Sequence, residues 1–139
     1  TIMATTTATL TLSSADLTGD ALALSTTATL TKAGTATGLD QTTGVGRKTT
    51  TATSAVTLFA AADYTDDKGH KVYIKNTSTV ATEYILVKIG DMELGRLYAG
   101  DWAFLPWNAD ADSTPDADII YTPSVSTSLT VEYALIFEA

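Results

Sequence analysis

Hydrophobic and polar residues alternate over most of this chain, with the period of two that is typical of β-strands with one buried face. The largest side chains are concentrated in residues 72–107. In the first strand of that stretch, Val72 and Ile74 alternate with Tyr73 and Lys75. The same alternation predicts two further strands, whose buried faces are formed by Ile85, Val87 and Ile89 and by Trp102 and Phe104.

Short runs of turn-forming residues separate these strands, and each run predicts a tight connection between antiparallel neighbours. We expect Gly90 at the first central position of a type II′ hairpin turn, because glycine adopts the required positive φ without strain. The three runs are Asn76-Thr77-Ser78, Gly90-Asp91 and Ala99-Gly100-Asp101.

The final strand has the most regular pattern in the sequence. Its apolar face carries Leu129, Val131, Tyr133, Leu135 and Phe137. Since one face of each strand is expected to be buried, the strands together predict a core between two sheets. The predicted core residues are Val87, Ile89, Trp102, Phe104, Val131, Tyr133 and Leu135.

The first sixty residues differ from the rest because they are rich in threonine, which makes up about a fifth of the chain. Residues 5–12 and 20–32 alternate threonine with alanine or leucine, which predicts two extended strands that bury little apolar area. The run 6–11, TTATLT, recurs unchanged at 26–31. An internal duplication or low-complexity sequence explains this recurrence, and we favour low complexity.

Four glycines mark residues 33–46 as a loop or hinge. It divides the chain into a threonine-rich arm, residues 1–45, and a body, residues 46–139. The body begins with a strand over 47–60 and a tight turn at 66–69, in which we expect Gly69 at the left-handed position. Because the arm favours extended backbone, we expect it to add to a sheet edge of another molecule through main-chain hydrogen bonds.

Eight or nine short strands, with no alternation of strands and helices, predict an all-β fold of antiparallel strands. The number of strands suits a jelly-roll-like β-sandwich, with an immunoglobulin-like sandwich as the alternative.

Composition narrows the possible partners. The 139 residues suffice for one domain with a sizeable core, and the net charge is −8 with scattered basic residues, so we expect no nucleic-acid partner. There are no cysteines, which excludes disulfides and thiolate metal sites. Neither a run of about 20 apolar residues nor a signal-peptide pattern is present, so we expect a protein made in the cytoplasm, with no membrane partner.

Residues 108–118 form an acidic loop interrupted by Pro115. Its oxygen-bearing side chains are the type that Ca²⁺ prefers, but the EF-hand pattern fails, since Ser113 replaces the required glycine and Ile119 the required glutamate. We favour a solvated acidic loop over a weak calcium site and expect no cofactor. The side chains concerned are those of Asn108, Asp110, Asp112, Asp116 and Asp118.

Two residues invite a catalytic interpretation. Thr1 has the chemistry of an N-terminal threonine nucleophile, but no partner for it is evident in the sequence. His70 is the single histidine, and we expect it to be a surface residue at the start of a strand. The sequence therefore predicts that the protein is not an enzyme.

Four aromatic residues could form a platform for sugar rings, which is how an adhesin would use them. Alternation instead favours a position in the core or at a subunit interface, with Trp107 covering one end of the sandwich or meeting a neighbouring subunit. The four residues are Tyr84, Tyr98, Trp102 and Trp107.

The layout of residues 69–139 carries a family resemblance. A strand that ends in KNTS is followed by a hairpin, by GRLYAGDWAFLPW over 95–107, by the acidic loop and by a last strand containing VEYALIF. This layout resembles the small jelly-roll structural proteins of tailed bacteriophages, particularly marine cyanophage-like podoviruses.

The resemblance implies a virion protein on the capsid surface. In such families the protein is commonly a capsid decoration or cement protein bound to the major capsid protein, less often a tail, fibre or knob component that contacts the host. Decoration proteins commonly occupy three-fold positions of the capsid, so the resemblance also implies a homotrimer.

Overall fold

A computed structural model describes residues 4–139, and these residues form antiparallel sheets with one short 3₁₀ turn at Ala61–Asp63 and no α-helix. The predicted all-β sandwich with an N-terminal arm is confirmed. Nothing in the described part of the chain forms a helix able to cross a membrane. The strands are β1 (Thr7–Ser14), β2 (Leu22–Thr29), β3 (Gln41–Thr42), β4 (Gly46–Thr50), β5 (Val56–Phe59), β6 (His70–Asn76), β7 (Tyr84–Ile89), β8 (Met92–Tyr98), β9 (Trp102–Pro106), β10 (Ile119–Pro123) and β11 (Leu129–Phe137).

Two sheets make up the body. The four-stranded sheet has the order β5-β10-β7-β8. The five-stranded sheet has the order β11-β6-β9, with β3 and β4 lying one after the other along the outer edge of β11. The strands β1 and β2 pair only with each other among the described residues and form a separate hairpin. From here on, the arm means this hairpin rather than the whole of residues 1–45.

The chain passes from one sheet to the other at every connection between β4 and β11 except that between β7 and β8. At that hairpin Gly90 has a φ of +56°, as predicted. The predictions of tight turns between neighbouring strands at 76–78 and 99–101 are wrong, because these segments join strands of different sheets. Turn-forming residues indicate where the chain reverses, but they carry no information on which sheet receives the next strand.

The core lies between the two sheets in two adjoining clusters. One centres on Phe59, Val72 and Ile119, and the other on Ile74 and Tyr121. Of the predicted core residues, Val87, Val131 and Leu135 are buried, and Ile89 and Tyr133 are half-buried. Ala61 and Trp107 also belong to the first cluster, which contains Phe59.

The predicted burial of Trp102 and Phe104 is wrong, since their side chains are 50% and 38% exposed. Both faces of β9 are apolar, so alternation alone does not identify the inner one. Pairing decides it, because residues directly opposite each other point to the same side of a sheet. Ala103 and Leu105 lie opposite the fully buried Ile74 and Val72, which leaves Trp102 and Phe104 on the outer face.

Two further local predictions are corrected. The strand expected over 47–60 is divided into β4 and β5, which belong to different sheets. In the turn at 66–69, Asp67 rather than Gly69 adopts the left-handed conformation, with a φ of +57°. The N–H of Asp67 donates to Asp66 Oδ1 at 2.7 Å and to Asn108 Oδ1 at 3.0 Å, and these bonds hold the strained residue in place.

Candidate functional site

The arm is an antiparallel hairpin whose two faces differ in polarity. Its register places Ala8 opposite Ala28 and Thr9 opposite Thr27, so the repeated sequence of 6–11 and 26–31 meets itself across the hairpin. Thr9 Oγ1 and Thr27 Oγ1 are hydrogen-bonded at 2.8 Å on one face, which carries threonine and serine. The opposite face, which we call the apolar face of the arm, carries Ala8, Leu10, Leu12, Leu22, Leu24 and Ala28.

The outer half of this apolar face is uncovered. Leu12 and Leu24, which are paired across the hairpin, are 46% and 47% exposed, and Leu22 is 37% exposed. An isolated two-stranded hairpin is marginally stable in water, and exposed contiguous apolar surface is typical of interaction sites. The arm therefore presents a surface suited to binding another molecule.

The base of the arm is fixed to the body. Leu30 and Leu39 are buried, and Glu138 Oε1 accepts hydrogen bonds from the N–H groups of Gly69 at 2.7 Å and Ala33 at 3.1 Å. These two donors lower the pKa of the Glu138 carboxyl, Gly69 more than Ala33. Residues 33–42, expected to be part of a loop or hinge, thus pack on the body and contribute β3 to its sheet.

A polar network crosses the outer face of the five-stranded sheet. Arg47 donates to Glu132 Oε2 through Nε at 3.1 Å and Nη2 at 3.0 Å, and the hydroxyl of Tyr73 donates to Glu132 Oε1 at 3.0 Å. The Arg47 guanidinium, followed by the Tyr73 hydroxyl, lowers the pKa of Glu132. The network ends at Tyr73 on β6, which lies opposite Phe104 on β9, and Lys75 on β6 lies opposite Trp102.

An open cleft of 580 Å³ lies between the arm and this sheet, and we call it the aromatic cleft. The wall formed by the arm consists of Ala8, Leu10 and Ala28, together with Thr9 and Thr26. The other wall is formed by the body through Tyr73, Lys75, Trp102 and Phe104. The cleft is within the size range of ligand and docking sites, and most of its lining is aromatic or aliphatic.

The four aromatic residues considered as a sugar platform do not come together. Trp107 is buried in the core and its Nε1–H donates to Ala117 O at 2.7 Å. Tyr84 and Tyr98 lie on the four-stranded sheet with their ring centroids 5.3 Å apart, and the Arg96 guanidinium is 4.3 Å from the Tyr84 ring centroid. Trp102 alone faces the aromatic cleft.

The prediction that His70 lies on the surface is wrong, since it is 1% exposed. It is the first residue of β6 on the face that also carries Val72, and its ring stacks on Phe137 with centroids 5.9 Å apart. Nδ1 lies 3.0 Å from Lys68 O, and Nε2 has no hydrogen-bond partner within residues 4–139. Burial lowers the pKa of His70. Its contacts make it part of the aromatic core.

The acidic loop uses several of its oxygens for internal hydrogen bonds. Asp110 Oδ1 accepts from the N–H groups of Asp112 at 2.9 Å and Ser113 at 3.0 Å, and Asp118 Oδ1 accepts from the Ala61 N–H at 2.8 Å. Across residues 4–139 no three acidic, histidine or cysteine side chains cluster in a way that could hold a metal ion. Thr1 lies outside the described residues.

No family model, curated protein or solved structure matches the chain. The functional interpretation therefore depends on the arm and the aromatic cleft. Alternation in the sequence already separated the leucines of the arm from its threonines, but it did not indicate that the two strands pair with each other. Nor did it place the aromatic residues of β9 outside the core.

Proposed function

We propose that this protein is a non-enzymatic structural protein of a tailed-phage virion, namely a decoration or cement protein that reinforces the head by binding the major capsid protein. The observation that carries the proposal is the uncovered apolar face of the arm, with Leu12 and Leu24 about half exposed on a hairpin anchored to a rigid body. Such a surface is suited to permanent assembly, because leaving it in water is unfavourable.

The topology of the body supports the jelly-roll part of this proposal. If the eight strands β4 to β11 are counted from one to eight, the sheets have the orders 1-8-3-6 and 2-7-4-5. This order is the one expected of a jelly roll, an architecture used by viral capsid proteins, and it therefore supports the proposal. Because one fold can serve many unrelated functions, the topology supports only the proposed jelly-roll fold. The proposed role in capsid decoration depends on the arm.

The mode of attachment differs from simple addition of one strand to a sheet edge. The strands of the arm already pair with each other, so only their outer edges have free main-chain groups, and the leucines supply most of the binding surface. No charged residue occurs in β1 or β2. We therefore expect binding to change little between low and moderate salt, because ionic screening acts on charges.

The proposal is tested on virions of the phage that encodes the protein. Quantitative mass spectrometry should find hundreds of copies in intact particles and the same number in tail-less heads. Heads stripped of the protein should rebind the full-length chain but not the double variant Leu12→Thr, Leu24→Thr, which keeps good β-formers in the strands. Met92→Thr, which removes an exposed apolar side chain from β8, is the control and should rebind normally. Absence from tail-less heads would refute the decoration role.

The aromatic cleft favours a second candidate function, that of a tail, fibre or knob component that contacts the host surface. Trp102, half exposed beside Lys75, has the properties of a side chain that stacks on a ligand. This candidate predicts about a dozen copies per particle, all lost with the tail. We also propose a homotrimer, which sedimentation of the full-length chain tests.

A further inference from the structure

We propose that copies of this protein exchange arms, so that the outer half of one copy's arm lies in the aromatic cleft of a second copy. This inference rests on the proposed function in one respect, that the apolar face of the arm is an assembly surface. It assigns the outer leucines to the five-stranded sheet of a second copy, so that the linked copies, rather than these leucines directly, bind the capsid protein. Exchange of an identical element is a common route to oligomers.

The cleft has room for such an occupant. Its volume of 580 Å³ corresponds to about twenty water molecules at roughly 30 Å³ each, which is far larger than a packing defect. Since Ala8, Leu10 and Ala28 face Trp102 and Phe104 across it, both walls are largely apolar. Replacing the water in the cleft by leucine side chains removes apolar surface from water on both walls and is therefore favourable.

The outer leucines of the arm do not line its own cleft. Ala8 and Leu10 line the cleft, whereas Leu12 lies two residues beyond Leu10, about 7 Å further along an extended strand. Leu12 and its partner Leu24 remain exposed in the single chain. One half of the apolar face thus borders its own cleft, with Ala28 still exposed there, and the other half lies beyond the cleft.

The position of the inner half of the arm indicates what covers the outer half. The inner half borders the aromatic cleft with Ala8, Leu10, Thr26 and Ala28, and the outer half continues the same face of the same ribbon. A surface that faces one half of a regular ribbon is suited to the other half, which has the same spacing between side chains and larger leucines. A second copy supplies that surface without requiring a different protein.

Charge favours the same arrangement. Each chain carries a net charge of −8, so two copies repel over much of their surface, but β1 and β2 are uncharged. The loop at the end of the arm carries Asp16 and Asp20. Lys75 in the cleft forms no ion pair within residues 4–139. Lys75 lies opposite Glu132, which is paired with Arg47, so the ammonium group of Lys75 remains available to the acidic residues at the end of a second arm.

The absence of cysteines from the chain permits a direct test by disulfide trapping. One full-length variant carries Leu24→Cys on the apolar face of the arm, and a second, distinguished by a mass tag, carries Lys75→Cys in the cleft. The two are mixed, equilibrated and mildly oxidised. We expect a disulfide between the tagged and untagged chains, identified by mass spectrometry of the linked peptides, since a disulfide forms only where the two Cα atoms come within about 7 Å.

Matched controls define the result. Ser25→Cys is the control for Leu24→Cys, because Ser25 is the next residue but lies on the threonine face of the arm. Val80→Cys is the control for Lys75→Cys, because Val80 is as exposed as Trp102 but lies between β6 and β7, outside the cleft. Each control pairing should form at least about tenfold less linked product. Equal yields with Ser25→Cys, links only between two arms, or no link between copies would each overturn the inference.

Sedimentation gives an independent measurement. The double variant Leu12→Thr, Leu24→Thr should associate at least about tenfold more weakly than the unchanged chain, because each leucine contributes apolar burial across the interface. Circular dichroism must show an unchanged β spectrum, and Met92→Thr should associate normally. If the disulfide forms but the protein is absent from heads, the virion role fails while arm exchange stands. If heads contain the protein and copies never link, only arm exchange fails.

Discussion

Glu138 Oε1 accepts a hydrogen bond from the backbone N–H of Gly69 at 2.7 Å, and through its second bond to Ala33 it ties the base of the arm to β6. Glu138→Ala leaves both N–H groups without this acceptor and should lower the Tm, whereas Glu138→Gln keeps an acceptor oxygen and should lower it less. Thermal unfolding followed by circular dichroism measures both variants. Equal losses for alanine and glutamine would contradict this account.

The carboxyl of Glu138 predicts that the stability of the protein depends on pH in the acidic range. Its pKa in the folded protein lies below its ordinary value of 4.5, so it contributes stability above that value, and the contribution is lost as the pH falls through the folded pKa. The difference in Tm between the unchanged protein and Glu138→Ala should therefore shrink when the pH is lowered below about 4.5. A difference that stays constant down to pH 3 or so would exclude the charged form as its source.

His70 predicts a second effect at higher pH. Burial lowers its pKa in the folded protein, so the unfolded chain binds the proton first as the pH falls below the ordinary value of 6.5. Stability should fall from about pH 7.5 to pH 5.5, by no more than about 1.4 kcal/mol per pH unit from this residue. Denaturant unfolding across this range should show a weaker dependence for His70→Phe, which keeps an aromatic ring against Phe137. An unchanged slope in the variant would assign the effect to other groups.

Two phenylalanines distinguish the core from the outer face. Phe59 is buried between the sheets, and its truncation to alanine should cost about 3–5 kcal/mol. Phe104 lies on the outer face of β9, so Phe104→Ala should cost about 1 kcal/mol or less. Urea melts of the two variants compare these losses directly. Similar losses at both positions would mean that Phe104 is as well packed as Phe59.

The turn at 66–69 gives a prediction about backbone strain. Asp67 has a φ of +57°, a conformation that costs most L-residues about 1–2 kcal/mol and β-branched ones most of all. Asp67→Gly should leave stability unchanged or raise it, whereas Asp67→Val should lower it by at least about 1 kcal/mol. Chemical denaturation measures the free energy of unfolding of both variants. A loss of stability in Asp67→Gly would show that the aspartate side chain itself stabilises the turn.

The fold class and most inner faces could be predicted from sequence because alternation is a local property. Val72, Ile74, Val131 and Leu135 followed that pattern into the core. Where both faces of a strand are apolar, as in β9, only the pairing of Ala103 with Ile74 determines which face is buried, and pairing depends on residues distant in sequence. His70 was wrongly predicted to be exposed because it directly follows a turn. The alternation therefore covers only one side of it and does not show that it belongs to the buried face of β6.

The candidate surface was predictable only in part. The leucines of the arm alternate with threonine, and this pattern indicated extended strands that bury little area. Pairing of the two strands with each other, and their position over the sheet that carries Trp102, depend on the path of residues 30–42 across the body. No local pattern encodes that path, because the N–H of Ala33 is held by Glu138, 105 residues away in the chain, and the side chain of Leu39 lies beside Gly69.

The position of β11 has a consequence for how the molecule is made. It is the last strand in chain order, yet it lies inside the five-stranded sheet, with β6 on one side and β3 and β4 on the other. The strands β3, β4 and β6 all precede β11 in the chain, so the five-stranded sheet cannot form until β11 is available to join them. Since closing pairs of strands so distant in sequence is slow, folding should take milliseconds to seconds.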